Sequence, residues 1–237
     1  MINLRYDLHI HSVLSPCGHD DMTPFNIVSM AALKELDVIA LTDHNSCKNC
    51  PPFVKHGNDI GIIAIPGMEL CTVEEVHVLI LFYNLESAML FDEYVEKRLI
   101  PIKNKEDIFG RQIIVNDMDI EVGKVDNLLI NATTISFFEV YDLATKFGGV
   151  MIPAHVDRTS HSVISNLGFV PMDSKFTAFE VKDKDNIENI LNKNSYLREC
   201  KVLINSDAHY LEDINEPIHT INALGKSIKD VLNIFNK

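Results

Sequence analysis

The sequence predicts an α/β protein built from repeated strand–helix units, either a parallel barrel or a doubly wound sheet. Three observations lead there. Seven short apolar runs begin near Asn3, Val38, Ile62, Val76, Val150, Thr177 and Val202, several of them separated by segments of helical spacing. The runs are nearly all apolar rather than alternating, the pattern of parallel strands covered on both faces. Polar residues gather at the C-terminal ends of most runs, which in a barrel is the catalytic face.

The elements follow in order. Residues 2–10 read as the first strand, ending in Asp7-Leu8-His9-Ile10-His11-Ser12. Residues 12–23 form a turn-rich loop with Pro16, Gly18 and His19-Asp20-Asp21. Thr23 before Pro24 is a helix start, and Ile27, Met30, Ala31 and Leu33 carry helical spacing towards Leu36. Residues 37–41 are a strand ending in Thr42-Asp43-His44-Asn45, and residues 60–66 another, ending in Gly67-Met68-Glu69. The run 76–83 opens with His77, so its polar group lies at its start. That strand is expected to run the other way and make a barrel irregular.

Residues 84–149 read as an insertion within a single domain spanning 1–237. It holds a helix at 86–99, a short strand or hairpin at 111–120 turning at Asn116-Asp117, and a helix at 134–147 stopped by Gly148-Gly149. It carries no strand-end chemistry and is expected to shape the rim of a site. The core pattern resumes with strands at 150–154, ending in His155, at 176–181, ending near Lys182, and at 201–205, ending in Ser206-Asp207-Ala208-His209. Helices are expected at 185–192 and 226–235.

Composition bounds the function. With 237 residues, 46% of them hydrophobic, the chain can bury a sizeable core. Lys and Arg number 21 against 34 Asp and Glu, a net charge of −13. Such a surface repels a nucleic-acid backbone, so long nucleic acid is not an expected partner, while a small phosphorylated substrate is compatible. No leader-like start and no apolar run long enough to span a bilayer are evident. A cytoplasmic protein without a membrane role is expected. Five scattered cysteines do not make a disulfide framework. Cys47-Lys48-Asn49-Cys50 is one CxxC without a second pair. It reads as loop structure near the site mouth, since Pro51-Pro52 argues against a redox-type helix N-terminus beside it.

The chemistry starts at His9 and His11. Residues two apart in a strand point to one side, so both rings aim at a common point, which suits a metal. The other groups expected around that point are His44, Glu69, His77, His155, Asp207 and His209, with His19 from the first loop; seven of the ten histidines fall in this set. His, Asp and Glu without Cys suit Zn²⁺, Mn²⁺ or Fe²⁺ with open positions for water. Nine candidate ligands exceed one tetrahedral ion and suit two or three ions with a bridging carboxylate.

DLHIHS, TDHN, GMEL followed by His77, PAHVD and SDAH, in this order, resemble the PHP superfamily, named for polymerase and histidinol phosphatase. The likeness covers residues 3–83 and 150–210. It implies a distorted seven-stranded (β/α)7 TIM-like barrel, here with an α+β insertion, a trinuclear metal site and phosphoesterase chemistry through a metal-activated water. Carried over residue by residue, it implies that His9, His11, Glu69 and Asp207 hold one ion. Glu69 would bridge to a second ion held also by His77 and His155. His19, His44 and His209 would hold a third, with Asp20 the rival of His19. Asp7 and Asp43, each close to a ligand histidine, are expected to orient imidazoles. Arg158 is expected to fork onto phosphate, with His161 and Lys182 as further substrate contacts. The expected function is hydrolysis of a small phosphomonoester or nucleotide. Histidinol phosphate, a nucleoside mono- or bisphosphate and an oligonucleotide 3′ end are the candidates. The alternative is a catalytically idle PHP module with a structural or regulatory role; occupation of every ligand position favours activity. A related amidohydrolase would use lysine as the bridge, where this chain has Glu69.

Overall fold

The computed structural model describes residues 1–236. Strand β1 (Ile2–Ile10) leads to helix α1 (Pro24–Leu33), whose first turn is capped by the Thr23 hydroxyl accepting the Asn26 N–H. The helix ends at Leu33 rather than Leu36, because Glu35 turns into the left-handed region at φ 56°. Next come β2 (Val38–Leu41), α2 (Cys50–Ile60) and β3 (Ile63–Cys71). Helix α2 corrects the expectation of a loop after the CxxC. Pro51 and Pro52 occupy its first turn, where backbone N–H groups have no helical acceptor, so they start the helix rather than forbid it.

Strand β4 (His77–Phe82) is followed by α3 (Leu85–Glu96), α4 (Glu106–Phe109), β5 (Ile113–Val115), β6 (Glu121–Lys124) and α5 (Phe137–Lys146). Residues 84–149 thus have the expected order of helix, hairpin and helix, with one extra helical turn. The chain closes with β7 (Gly149–Pro153), α6 (Val163–Leu167), β8 (Ala178–Glu180), α7 (Ile187–Lys193), β9 (Lys201–Leu203), β10 (Thr220–Ala223) and α8 (Ile228–Leu232).

The main sheet has six strands in the order β10-β1-β2-β3-β4-β7. β1, β2 and β3 are parallel; β4 is antiparallel to both β3 and β7, and β10 is antiparallel to β1. β8 and β9 form a separate parallel pair. The fold is therefore mixed α/β with a curled, half-barrel sheet, and the expected continuous seven-stranded barrel ladder is not what the hydrogen bonds show. Two physical reasons account for the difference. The link 72–76 is too short for a crossover, so β4 must reverse direction. β8 and β9 have three residues each, join no ladder of the main sheet and meet its backbone only at isolated points. These are Val156 N–H to the Glu180 carbonyl at 2.9 Å and the bridge between Ile10 and Ala208. Side chains from all these strands still share one apolar core, including Leu8, Val38, Ile65, Leu79, Ile152, Ala178 and Leu203. No helix among the described residues is long and apolar enough to cross a membrane.

The segment 84–149 is pinned beside the strand ends by two asparagines. Asn45 donates from its amide to the carbonyls of Leu129 and Asn131 at 2.7 and 2.8 Å, and accepts the Cys71 N–H. Asn49 pairs with β5 like a strand residue, donating to the Ile113 carbonyl and accepting the Val115 N–H. Gly110 passes so close to the first loop that a Cβ there would sit 2.0 Å from the Pro16 carbonyl oxygen.

Candidate metal centre

The C-terminal end of β1 places His9 and His11 side by side. Their Nε2 atoms lie 3.1 Å apart, and both side chains are fully buried. β2 and β3 continue their pairing beyond their last ladder residues. The Glu69 N–H meets the Asp43 carbonyl, and the Asn45 N–H meets the Glu69 carbonyl. That register sets His44 against Glu69, with Nδ1 2.9 Å from Oε2. Because β4 runs antiparallel to β3, His77 at its start comes back to the same carboxylate, at 3.0 Å from Oε1. His155, just past β7, reaches Oε1 at 3.2 Å. Asp207 and His209 arrive from the loop after β9. Asp207 Oδ1 is 3.3 Å from His9 Nε2 and 3.2 Å from His11 Nε2. The His209 ring stacks on His11 at 4.4 Å.

Eight of the nine expected ligands thus converge: His9, His11, His44, Glu69, His77, His155, Asp207 and His209. Three groups have donor atoms mutually within 4.8 Å: His11, His44 and His209; His9, His11 and Glu69; His44, Glu69 and His77. His19 stands apart. It is half-exposed, pairs with Asp21 at 3.4 Å and packs near Tyr210. Its backbone alone joins the site, through its N–H to the His209 carbonyl. Asp20, its rival, is exposed.

The donor set fits divalent cations. His44 Nδ1 and Glu69 Oε2 are buried and make no hydrogen bond, although they approach each other closely; His155 Nδ1 is likewise buried and unpartnered. Buried polar atoms without partners are costly, and a shared ion satisfies such atoms together. The donors are nitrogen and oxygen, with no thiol among them, the set of Zn²⁺, Mn²⁺ or Fe²⁺. Electrostatics agree. Burial works against a charged His9, yet Glu180, Asp207 and Glu69 hold its pKa well above the ordinary value. Burial likewise works against His77⁺, and Glu69 pushes its pKa up to about 10. Burial and the neighbouring His209 and His44 depress His11 well below its ordinary value. The basin therefore demands positive charge and takes it as protons when no ion is bound.

The supporting residues differ from those expected. Asp7 touches no imidazole; it accepts N–H groups from Ser206 and Asn215, fastening the last motif to β1. Asp43 acts on His11 indirectly. Ser15 donates its hydroxyl to Asp43 at 2.7 Å, so the same oxygen accepts from His11 Nδ1 at 2.9 Å and from the His44 N–H. His11 must then present Nε2 to the basin. Glu180, at the end of β8, is the residue that sequence reasoning missed. Its buried carboxylate lies 3.0 Å from His9 Nδ1 and also accepts the His155 N–H and the Asn205 amide. Its signal in the sequence is no more than a lone acid ending a strand.

Of the expected substrate contacts, Arg158 is best placed: its Nη2 lies 2.7 Å from Asp207 Oδ2. Lys182 turns its ammonium to the Ser206 carbonyl, next to Asp207. The exposed His161 ring stacks on His77 at 4.7 Å. His155, Asp207, His161 and Asn45 all have positive φ, a backbone cost accepted where the surrounding contacts enforce it.

The chain is similar to several known proteins. An uncharacterized protein of Methanocaldococcus jannaschii is 30% identical over 103 residues, which make up 40% of this chain and 60% of that protein. A lesion-specific endonuclease from Pyrococcus furiosus superposes with a TM-score of 0.70 at 17% identity, over 99% of this chain but 56% of the endonuclease. The chain thus spans little more than half the length of these two proteins. A candidate metal-dependent phosphoesterase from Bifidobacterium adolescentis has a TM-score of 0.59 at 17% identity, covering 86% of this chain and 87% of that one. The family model for the PHP domain matches residues 7–147, more than half of the chain, and the protein accordingly belongs to the PHP domain family.

Proposed function

We propose that the protein is a metal-dependent phosphoesterase that hydrolyses a small phosphomonoester or a nucleotide at a di- or trinuclear site. The observation that carries this reading is the convergence of six imidazoles and two carboxylates on one buried basin, with Glu69 in reach of His9, His11, His44, His77 and His155. His9, His11 and Asp207 would hold one ion with Glu69, and Glu69 would also serve a second, held by His77 and His155. His44 and His209 would hold a third, completed by His19. Zn²⁺, Mn²⁺ or Fe²⁺, when bound, supply Lewis acidity and a water nucleophile near neutral pH.

The chain's own residues do the rest. Glu180 and Ser15 hold the His9 and His11 rings in position. Arg158, above Asp207, offers a charged fork to phosphoryl oxygens. The buried walls around His9 and His11 exclude bulk water and strengthen each of these interactions. The acidic surface favours a small substrate over long nucleic acid.

The test is a hydrolysis screen on protein reconstituted in turn with Zn²⁺, Mn²⁺ and Fe²⁺, with His9→Ala as control. The expected result is turnover of at least one phosphoester, reduced about 100-fold or more in His9→Ala. Unchanged turnover in that variant would overturn the reading. Metal binding without turnover of any phosphoester would identify an idle module.

A further inference from the structure

We propose that the cavity on the far side of Arg158 is a base-binding subsite, receiving the nucleobase of a nucleotide or of an oligonucleotide end whose phosphoester lies in the histidine basin. The proposal rests on the phosphoesterase reading and names the substrate class for it.

The cavity has a volume of about 690 Å³ and lies between α6, α7 and the loop that follows β7. That is far larger than a phosphoryl group and within the range of sites that hold small organic molecules. Arg158 belongs to both spaces. It lines the cavity, and its Nη2 is 2.7 Å from Asp207 in the basin. A phosphoryl group held beside this guanidinium has the cavity within reach of its ester substituent.

The lining specifies the substituent. Val156 and Ile190 are buried and give an apolar floor. Phe169 lines the same space with a ring that is 58% exposed and makes no ring contact among the described residues. An exposed aromatic face is what a flat heterocycle stacks on. Asn189 is exposed on α7 and makes no hydrogen bond among the described residues, whereas Asn186 and Asn194 are both engaged. Its amide offers a donor and an acceptor together, the pattern that matches the edge of a base. Asp157 is the acid among the lining residues, and its carboxylate is taken by the N–H groups of Lys182 and Asp183 at 2.8 and 2.9 Å. Arg158 and Lys193 line the same space and outweigh its charge. An alkyl substituent would leave Asn189 unpaired, and a bare sugar phosphate would leave Phe169 unused.

The experiment uses the metal-loaded chain and the variants Phe169→Ala and Asn189→Ala. Both side chains are exposed and outside the metal basin, so folding and basal hydrolysis are preserved. Three substrates are compared: a nucleoside monophosphate, a short single-stranded oligonucleotide and glycerol phosphate. Binding of the monophosphate is measured separately by calorimetry. The expected result is a loss of about ten-fold in kcat/KM, carried by KM, for base-bearing substrates and no loss for glycerol phosphate. Whether the monophosphate or the oligonucleotide shows the larger loss identifies the source of the base. Equal losses on all substrates, or none, overturn the subsite. Turnover of glycerol phosphate without preference for base-bearing substrates overturns the subsite and leaves the phosphoesterase standing. Nucleotide binding that Phe169→Ala weakens about ten-fold, without turnover of any substrate, does the reverse. Neither binding nor turnover defeats both.

Discussion

Glu180 and Ser15 decide which nitrogen each central histidine turns to the basin. Glu180 takes the Nδ1 side of His9, and the Ser15–Asp43 pair takes the Nδ1 side of His11. Both Nε2 atoms are thereby left for a cation. Glu180→Gln keeps the shape and loses the charge. It is expected to weaken divalent-ion affinity about 10- to 100-fold while leaving the fold intact, read by metal titration alongside circular dichroism. Unaltered affinity would show that packing alone orients His9. The histidines themselves were legible in the sequence because HxH in a strand has a geometric meaning and the other motifs fall at strand ends. Glu180 was not legible, since a single acid at the end of a three-residue strand carries no spacing that marks it. His19 is the opposite case. Its residue type and its loop fit a ligand, but the structure turns the ring towards Asp21 and Tyr210.

At the level of elements, the two asparagines that follow motif residues tie the inserted segment to the site. Asn45 satisfies three backbone groups at once: the Cys71 N–H and the carbonyls of Leu129 and Asn131. Asn45→Ala leaves those groups without their partner and is expected to cost about 2–3 kcal/mol, seen as a lower midpoint in urea unfolding. A loss below about 0.5 kcal/mol would mean that water replaces the amide. Helix–hairpin–helix order within the insertion could be read from pattern, but its attachment could not, because it depends on side-chain amides reaching across tens of residues. The seven core strands are legible in the sequence; β10 and the closure of the sheet are not. β10 is short and alternates exposed with buried residues, so it lacks the apolar run that marked the others. β8 and β9 were found, but their three-residue ladders were too brief to complete the expected ring.

Across the whole molecule, a chain of net charge −13 buries Asp7, Asp43, Glu69, Glu180 and Asp207 in and around one basin. Without ions, protonated histidines balance part of that charge. His77, raised to about 10, contributes stability that is complete below its ordinary value of 6.5 and lost as pH rises through about 10. Bound ions replace those protons and are indifferent to that loss. Chelation is therefore expected to lower Tm, and the gap between metal-loaded and metal-free protein is expected to widen from pH 6 to pH 9 in scanning calorimetry. A gap that shrinks with rising pH would show that the ions and the protons do not compete for the same imidazoles.

The seam between the first and last motifs has a temporal meaning. His11 N–H bonds the Ala208 carbonyl, Ala208 N–H bonds the His9 carbonyl, and Leu8 N–H bonds Asn205, all across about 200 residues of chain. Contacts of such long sequence separation form late in folding, so the basin closes only when the first strand and the last motif have met.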